Sequence, residues 1–156
     1  MLYEVRAYTF TQGSLDEAVA GFGDIIEERV KLSRLICFFR SAIGELDRIF
    51  HIWEYENSAH RESVRDKAQS ASWWPPLRVE KILYQQTRLM AATSFCPEPR
   101  TGAMGSVYEV RSDISQAGTM GNISAAWAEH LPERENLSPL AAAFANPANE
   151  FASGIL

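Results

Sequence analysis

The sequence predicts an α+β fold of ferredoxin-like order, β-α-β-β-α-β, over residues 1–91. Three observations carry this. Tyr3-Glu4-Val5-Arg6-Ala7-Tyr8 alternates its side chains as a strand does, with Glu4, Arg6 and Tyr8 on one face and Tyr3, Val5 and Ala7 on the other. An apolar stripe of helical period follows it, and after that come two strand-like runs joined by a glycine turn.

The first strand is expected over residues 2–11, with Gln12-Gly13 as the turn. Ser14 and Glu17 have the spacing of a capping box, so a helix opens there. Leu15, Ala18, Val19, Phe22, Ile25, Ile26 and Val30 share one stripe that should be buried on a sheet. Gly21 and Gly23 each cost this helix about 1 kcal/mol against alanine and permit a close helix–sheet approach. A second strand is expected over residues 35–43, a hairpin at Gly44-Glu45-Leu46-Asp47, and a third strand over residues 48–55. The third strand alternates Ile49, His51, Trp53 and Tyr55 against Phe50, Ile52 and Glu54. Asn57 or Ser58 caps a second helix running to about residue 70. Its Arg61, Glu62, Arg65, Asp66 and Lys67 place most of it in water. Trp73-Trp74-Pro75-Pro76 leads into a short third helix through residue 81, since proline suits a first helical turn. A fourth strand covers residues 83–90.

Residues 92–105 carry Pro97, Pro99, Gly102 and Gly105 and read as a linker. Over residues 106–156 the opening pattern returns. Tyr108-Glu109-Val110-Arg111 repeats Tyr3-Glu4-Val5-Arg6, Gly118 matches Gly13, Trp127 matches Phe22, and Leu137-Ser138 matches Leu32-Ser33, all at an offset of 105 residues. A constant offset indicates an internal duplication. Pro132 should kink or break the repeated helix. Past Phe144, which matches Phe39, the echo fails, so the second repeat is expected to be incomplete (β-α-β) with a divergent tail. In a ferredoxin-like sheet the third strand lies between the first and second. A repeat lacking it leaves unpaired backbone that must borrow a strand, dock elsewhere or stay mobile.

Composition narrows the function. Net charge is −5, with no basic run to displace counterions from phosphates, which argues against a nucleic-acid partner. No apolar run approaches the ~20 residues of a membrane span, and no leader segment is evident. Cys37 and Cys96 form neither a disulfide framework nor a zinc site, so a reducing cytoplasm is the expected compartment. No cluster has metal-ligand spacing, no glycine-rich loop cradles phosphate, and no serine sits in a nucleophile elbow. The expectation is therefore no metal and no cofactor.

Tyr3-Glu4-Val5-Arg6-Ala7-Tyr8, Gly13, Ile43-Gly44-Glu45-Leu46-Asp47 and His51-Ile52-Trp53-Glu54-Tyr55 together resemble the NIPSNAP family. The resemblance covers the first repeat fully and the second to about Phe144, a truncated second repeat. It implies a dimeric α+β barrel, in which two ferredoxin-like sheets pack face to face. With the second repeat truncated, the first is expected to pair with that of another chain as an isologous homodimer through the sheet face. Many families with that barrel bind small hydrophobic molecules, and some are cofactor-free monooxygenases or handle haem. The family itself has no agreed reaction; its animal members are associated with mitochondria and vesicle transport.

With helices on one face of the sheet, Val5, Phe50 and Ile52 are assigned to the helix side. Glu4, Arg6, Tyr8, His51, Trp53 and Tyr55 are assigned to an open concave face. There Arg6 would orient an acidic or carbonyl group, His51 would shuttle a proton, and Trp53 and Tyr55 would clasp an apolar ring beside Glu4 and Tyr8. The plainer alternative is that Glu4 and Arg6 satisfy each other and His51 is structural, because buried charges need partners with or without a ligand. His60 and His130 read as solvent-facing. Three functions follow: a barrel protein binding a small apolar or acidic molecule; a cofactor-free monooxygenase or isomerase using His51 and Arg6 on an aromatic or polyketide-like substrate; and a non-catalytic interaction or assembly protein.

Overall fold

The protein is described by a computed structural model covering residues 1–76, 79–146 and 151–155, with only the backbone for residues 79 and 151–155. The chain divides into two units, Met1–Arg88 and Leu89–Leu156.

In the first unit the order is β1 (Leu2–Phe10), α1 (Leu15–Val30), β2 (Leu35–Arg40), β3 (Arg48–Tyr55) and α2 (Ser58–Gln69). A 3-10 turn (Val79–Lys81) then leads into β4 (Ile82–Ala92). The strand order is β2-β3-β1-β4, the ferredoxin-like arrangement. β4 begins in this unit and ends in the next. Of the expected short helix, Leu77 and Arg78 lie outside the described residues.

Several local expectations are corrected. Ser14 is the N-cap of α1, but its hydroxyl donates back to the Thr11 carbonyl at 2.6 Å and makes no cap bond, so there is no capping box. Asn57 does cap α2, its Oδ1 accepting from the His60 N–H at 2.9 Å. β2 stops at Arg40, and Ile43 is 89 % exposed in the connection, where Gly44 and Asp47 hold positive φ. The buried stripe of α1 is Leu15, Ala18, Phe22, Ile25 and Arg29, while Val30 is exposed. The helix therefore presents a guanidinium where a valine was expected.

Gly21 admits a close approach, though to a loop and not to the sheet. A Cβ there would run into the Pro76 carbonyl oxygen, whereas one at Gly23 would meet open space. Gly21→Ala should therefore destabilise the protein by about 1–3 kcal/mol by pushing the Trp73–Pro76 segment off α1. Gly23→Ala should raise stability by about 0.5–1 kcal/mol through helix propensity. Urea denaturation of the two variants checks the contrast.

The second unit holds the end of β4, then β5 (Val110–Ile114), α3 (Met120–Glu135), β6 (Ala142–Asn146) and β7 (Phe151–Ile155). α3 runs unbroken through Pro132. The proline removes one backbone bond close to the helix end, where only three residues follow. The strand order here is β4-β6-β7-β5. β7 lies between β5 and β6, antiparallel to both, from Ile114↔Phe151 to Val110↔Ile155 and from Asn146↔Phe151 to Ala142↔Ile155. The expected gap is therefore filled from within the unit, and the segment read as a divergent tail supplies the missing central strand. Residues 147–150 and 156 lie outside the described residues.

Candidate binding site

The β1–β3 register sets which side chains share a face. Glu4 lies opposite Trp53, Arg6 opposite His51, Leu2 opposite Tyr55 and Tyr8 opposite Ile49. Directly paired residues of an antiparallel ladder point the same way, so Glu4, Arg6, Tyr8, His51, Trp53 and Tyr55 share one side of the sheet. All six border a single small cavity of about 60 Å³ in the first unit.

That side is the helix side, and the assignment to an open concave face is corrected. Phe22 of α1 meets His51 edge-on at 5.2 Å and Tyr8 at 6.5 Å between ring centroids. Val64 of α2 packs with Trp53 and Tyr55. The cavity is a gap between sheet and helices. The reason lies in the side chains: Tyr8, Trp53 and Tyr55 offer large apolar bodies for a helix to cover, while their polar tips find partners inside.

Glu4 is the electrostatic hub. It is 1 % exposed. Its Oε1 accepts from Arg61 Nη2 at 2.6 Å, and its Oε2 accepts from the Tyr55 hydroxyl at 3.0 Å. Arg65 Nη1 and Arg6 Nη1 stand further away, at 3.6 and 3.8 Å. Burial pushes the Glu4 carboxyl up. The Arg61 hydrogen bond and the charges of Arg6 and Arg61 outweigh it and hold the group below the usual carboxylate range.

Arg29 is a buried cation of a different kind. Nη1 donates to Ser33 Oγ at 2.8 Å and Nη2 to the Tyr55 hydroxyl at 2.9 Å, while the guanidinium sits 3.9 Å above the Trp53 ring. It is 6 % exposed and forms no ion pair with a carboxylate among the described residues. Four guanidinium groups (Arg6, Arg29, Arg61 and Arg65) thus gather about one carboxylate, a local excess of three positive charges.

His51 is buried beneath this cluster and stacks on Tyr8 at 5.5 Å with 4° between the planes. Its Nδ1 accepts a hydrogen bond from Trp53 Nε1 at 2.6 Å. Indole N–H can only donate, so Nδ1 carries no proton and the neutral ring carries it on Nε2. Burial, with the charges of Arg6 and Arg29 added, holds the imidazole pKa well below its ordinary value. Nε2 is buried without a partner, and so is Nε of Arg6. Both are donors, and both belong to residues lining the cavity.

A pH dependence follows. His51 stays neutral in the folded chain, whereas an unfolded histidine takes up a proton below about pH 6.5. The unfolded state then binds more protons, so stability falls with decreasing pH, by up to about 1.4 kcal/mol per unit. Glu4, with its depressed folded pKa, adds a second loss that begins below about pH 4.3. Urea midpoints from pH 7.5 to 5 should decline in the wild-type chain and flatten in His51→Gln.

Residue patterning did not point to Arg29, Arg61 or Arg65. The signal was present. Arg29 continues the 15-18-22-25 spacing, and Arg61 and Arg65 share a helical face with Val64 and Ala68, the buried pair of α2. A cation on the buried stripe of a helix facing a strand that carries Glu4 is a pairing that period and charge together indicate.

The NIPSNAP family model matches residues 3–97. Mouse protein NipSnap homolog 3B is 27% identical over 112 residues, covering 69% of this chain and 45% of that protein. Drosophila melanogaster protein NipSnap is 29% identical over 99 residues, covering 62% of this chain and 36% of that protein. The chain spans less than half the length of these curated relatives. Among solved structures, a NIPSNAP family protein of unknown function from Agrobacterium tumefaciens is 26% identical with a TM-score of 0.57, over 62% of this chain and 92% of that one. An uncharacterised NIPSNAP domain protein from Burkholderia xenovorans has a TM-score of 0.58 at 24% identity, over 63% of this chain and 100% of that one, a likeness of fold. The fold fits that of a dimeric α+β barrel. With the family pattern running through the first ferredoxin-like unit and into the second, the chain belongs to the NIPSNAP family.

Proposed function

We propose that this NIPSNAP protein binds a small acidic molecule in the cavity of its first unit. The observation that supports this most strongly is that two of the cluster's three buried, unpartnered donors, His51 Nε2 and Arg6 Nε, belong to residues lining the cavity, where positive charge is in surplus. Buried donors left without acceptors cost about 1–3 kcal/mol each, and an anion would recover that cost. Arg6, Arg29 and Arg65 supply charge, His51 a neutral N–H, and Tyr8, Phe22 and Trp53 an apolar wall. In this reading His51 donates a hydrogen bond and does not shuttle a proton. Titration calorimetry with short carboxylic acids should show saturable one-site binding that weakens as salt rises. Their failure to bind, with binding of uncharged analogues, would remove the reading.

The enzyme reading, a cofactor-free monooxygenase or isomerase, is favoured by one feature. A neutral imidazole N–H held rigidly by Trp53 is suited to stabilising a developing enolate oxygen. Burial pushes the Cys37 thiol up to about 12, which argues against a cysteine nucleophile.

Three further proposals stand beside this. A homodimer through the sheet face away from the helices draws support from the barrel class of the fold. An internal duplication draws support from α1 and α3, whose bounds differ by the same 105 residues at both ends. A reducing compartment such as the cytoplasm is supported by the two free thiols, Cys37 and Cys96. No helix among the described residues is long and apolar enough to cross a membrane.

A further inference from the structure

The size of the cavity and the chemistry of its lining narrow the acid to a class. In this measure of volume one water needs ~10–15 Å³. The cavity of about 60 Å³ therefore admits ~4–6 water-sized groups. A fatty-acid chain or a fused aromatic ring system exceeds that. Donors dominate the polar lining. Arg6, Arg29, Arg65 and His51 offer donors, Glu4, the one carboxylate among the lining residues, already has both oxygens engaged by Arg61 and Tyr55, and Tyr8, Tyr55 and Gln69 add neutral groups that donate or accept. A ligand rich in acceptors matches this lining, and a ligand hydroxyl would find only neutral groups to receive its proton.

The rings of Tyr8, Phe22 and Trp53 line the same space as the donors, with Arg6 over Tyr8 and Arg29 over Trp53. A tetrahedral oxyanion presents oxygens in every direction and would turn some of them onto those rings, whereas a carbon-framed acid would not. Exposure gives the direction of entry. His51 and Trp53 are each 2 % exposed and Arg29 6 %, while the Arg65 side chain is 35 % exposed and Gln69 is exposed. The mouth lies at the C-terminal half of α2 and the buried donors lie at the floor.

Resting on the acid-binding reading, we infer that the ligand is a short 2-oxo acid. The arginines take its carboxylate, and the adjacent oxo group accepts the otherwise unpartnered Nε2–H of His51. Such a molecule, with about six non-hydrogen atoms, fills the available space. It carries only acceptors and turns its short carbon end towards the aromatic rings. His51 then separates an oxo acid from the same acid lacking the oxo group.

The test uses the unmodified chain and four probes: pyruvate, lactate, propionate and inorganic sulfate. Calorimetric titration should give pyruvate at least about tenfold tighter than propionate, the order of effect when a buried donor gains or lacks its acceptor. Lactate should fall below pyruvate, and sulfate should be the weakest. In His51→Phe the pyruvate–propionate ratio should collapse towards one while propionate binding persists. The ratio in the unmodified chain is decisive even if that variant does not fold. Equal binding of pyruvate and propionate, or sulfate binding best, overturns the 2-oxo acid and leaves acid binding standing. No binding by any of the four overturns both.

Discussion

Glu4→Gln will cost the protein about 3 kcal/mol of stability, because it removes the one carboxylate that neutralises a buried arginine cluster. The glutamine amide still reaches Arg61 and Tyr55 but brings no charge. Arg61, 18 % exposed in its side chain, then keeps a poorly solvated cation with a neutral acceptor, and Arg6, at 14 %, loses its nearest anion. Breaking a buried pair by removing one partner leaves the other charge uncompensated, which is why the loss exceeds that of a surface pair. α2 should loosen first, since Arg61 and Arg65 tie it to β1 through this carboxyl. Urea unfolding with hydrogen exchange on α2 measures both effects.

Arg29→Met should behave in the opposite way. Arg29 carries a buried charge with no carboxylate against it, so an unbranched apolar side chain over Trp53 should change stability by less than about 1 kcal/mol in either direction. Affinity for short acids should nonetheless fall by about 10- to 100-fold, the worth of one charge-assisted contact. If the charge of Arg29 is there for a ligand, its loss registers in binding and not in folding. Calorimetry beside thermal unfolding of the same sample separates the two. A large loss of stability with unchanged affinity would make Arg29 a structural strut of the α1–β3 contact.

Much of the first unit was legible in the residues. The bounds of β3 are legible because Arg48 and Tyr55 close a strand-like run between a glycine turn and a capping asparagine. The six residues of the candidate site were legible as one face for the same reason, since a strand fixes which side chains travel together. Which side that face turns to was not. In β1 the successive residues Tyr3, Glu4 and Val5 are all buried, so alternation in polarity does not mark the helix side. The deciding information lay on the helices, in Phe22, Arg29, Arg61 and Arg65, and only the register of helix against strand brings those residues to Glu4 and His51.

β7 was not legible at all. Phe151-Ala152-Ser153-Gly154-Ile155 has alanine, serine and glycine at its centre and little strand propensity of its own. It is held in place by pairing on both sides. The need for a strand there was legible from topology, but its sequence was not. The same register explains why the second unit does not repeat the site. Arg111, the counterpart of Arg6, lies opposite Gly154, so no imidazole stands where His51 stands in the first unit.

His51 holds a neutral ring with its proton on Nε2, facing the cavity in which we propose that an acid binds. A long-range proton–nitrogen NMR spectrum of the 15N-labelled chain at pH 7 tests it directly. The expected spectrum shows an unprotonated Nδ1, a protonated Nε2, and an Nε2–H resonance that moves when a short acid is titrated in. A doubly protonated ring, a proton on Nδ1, or an Nε2–H signal indifferent to added acid would contradict it.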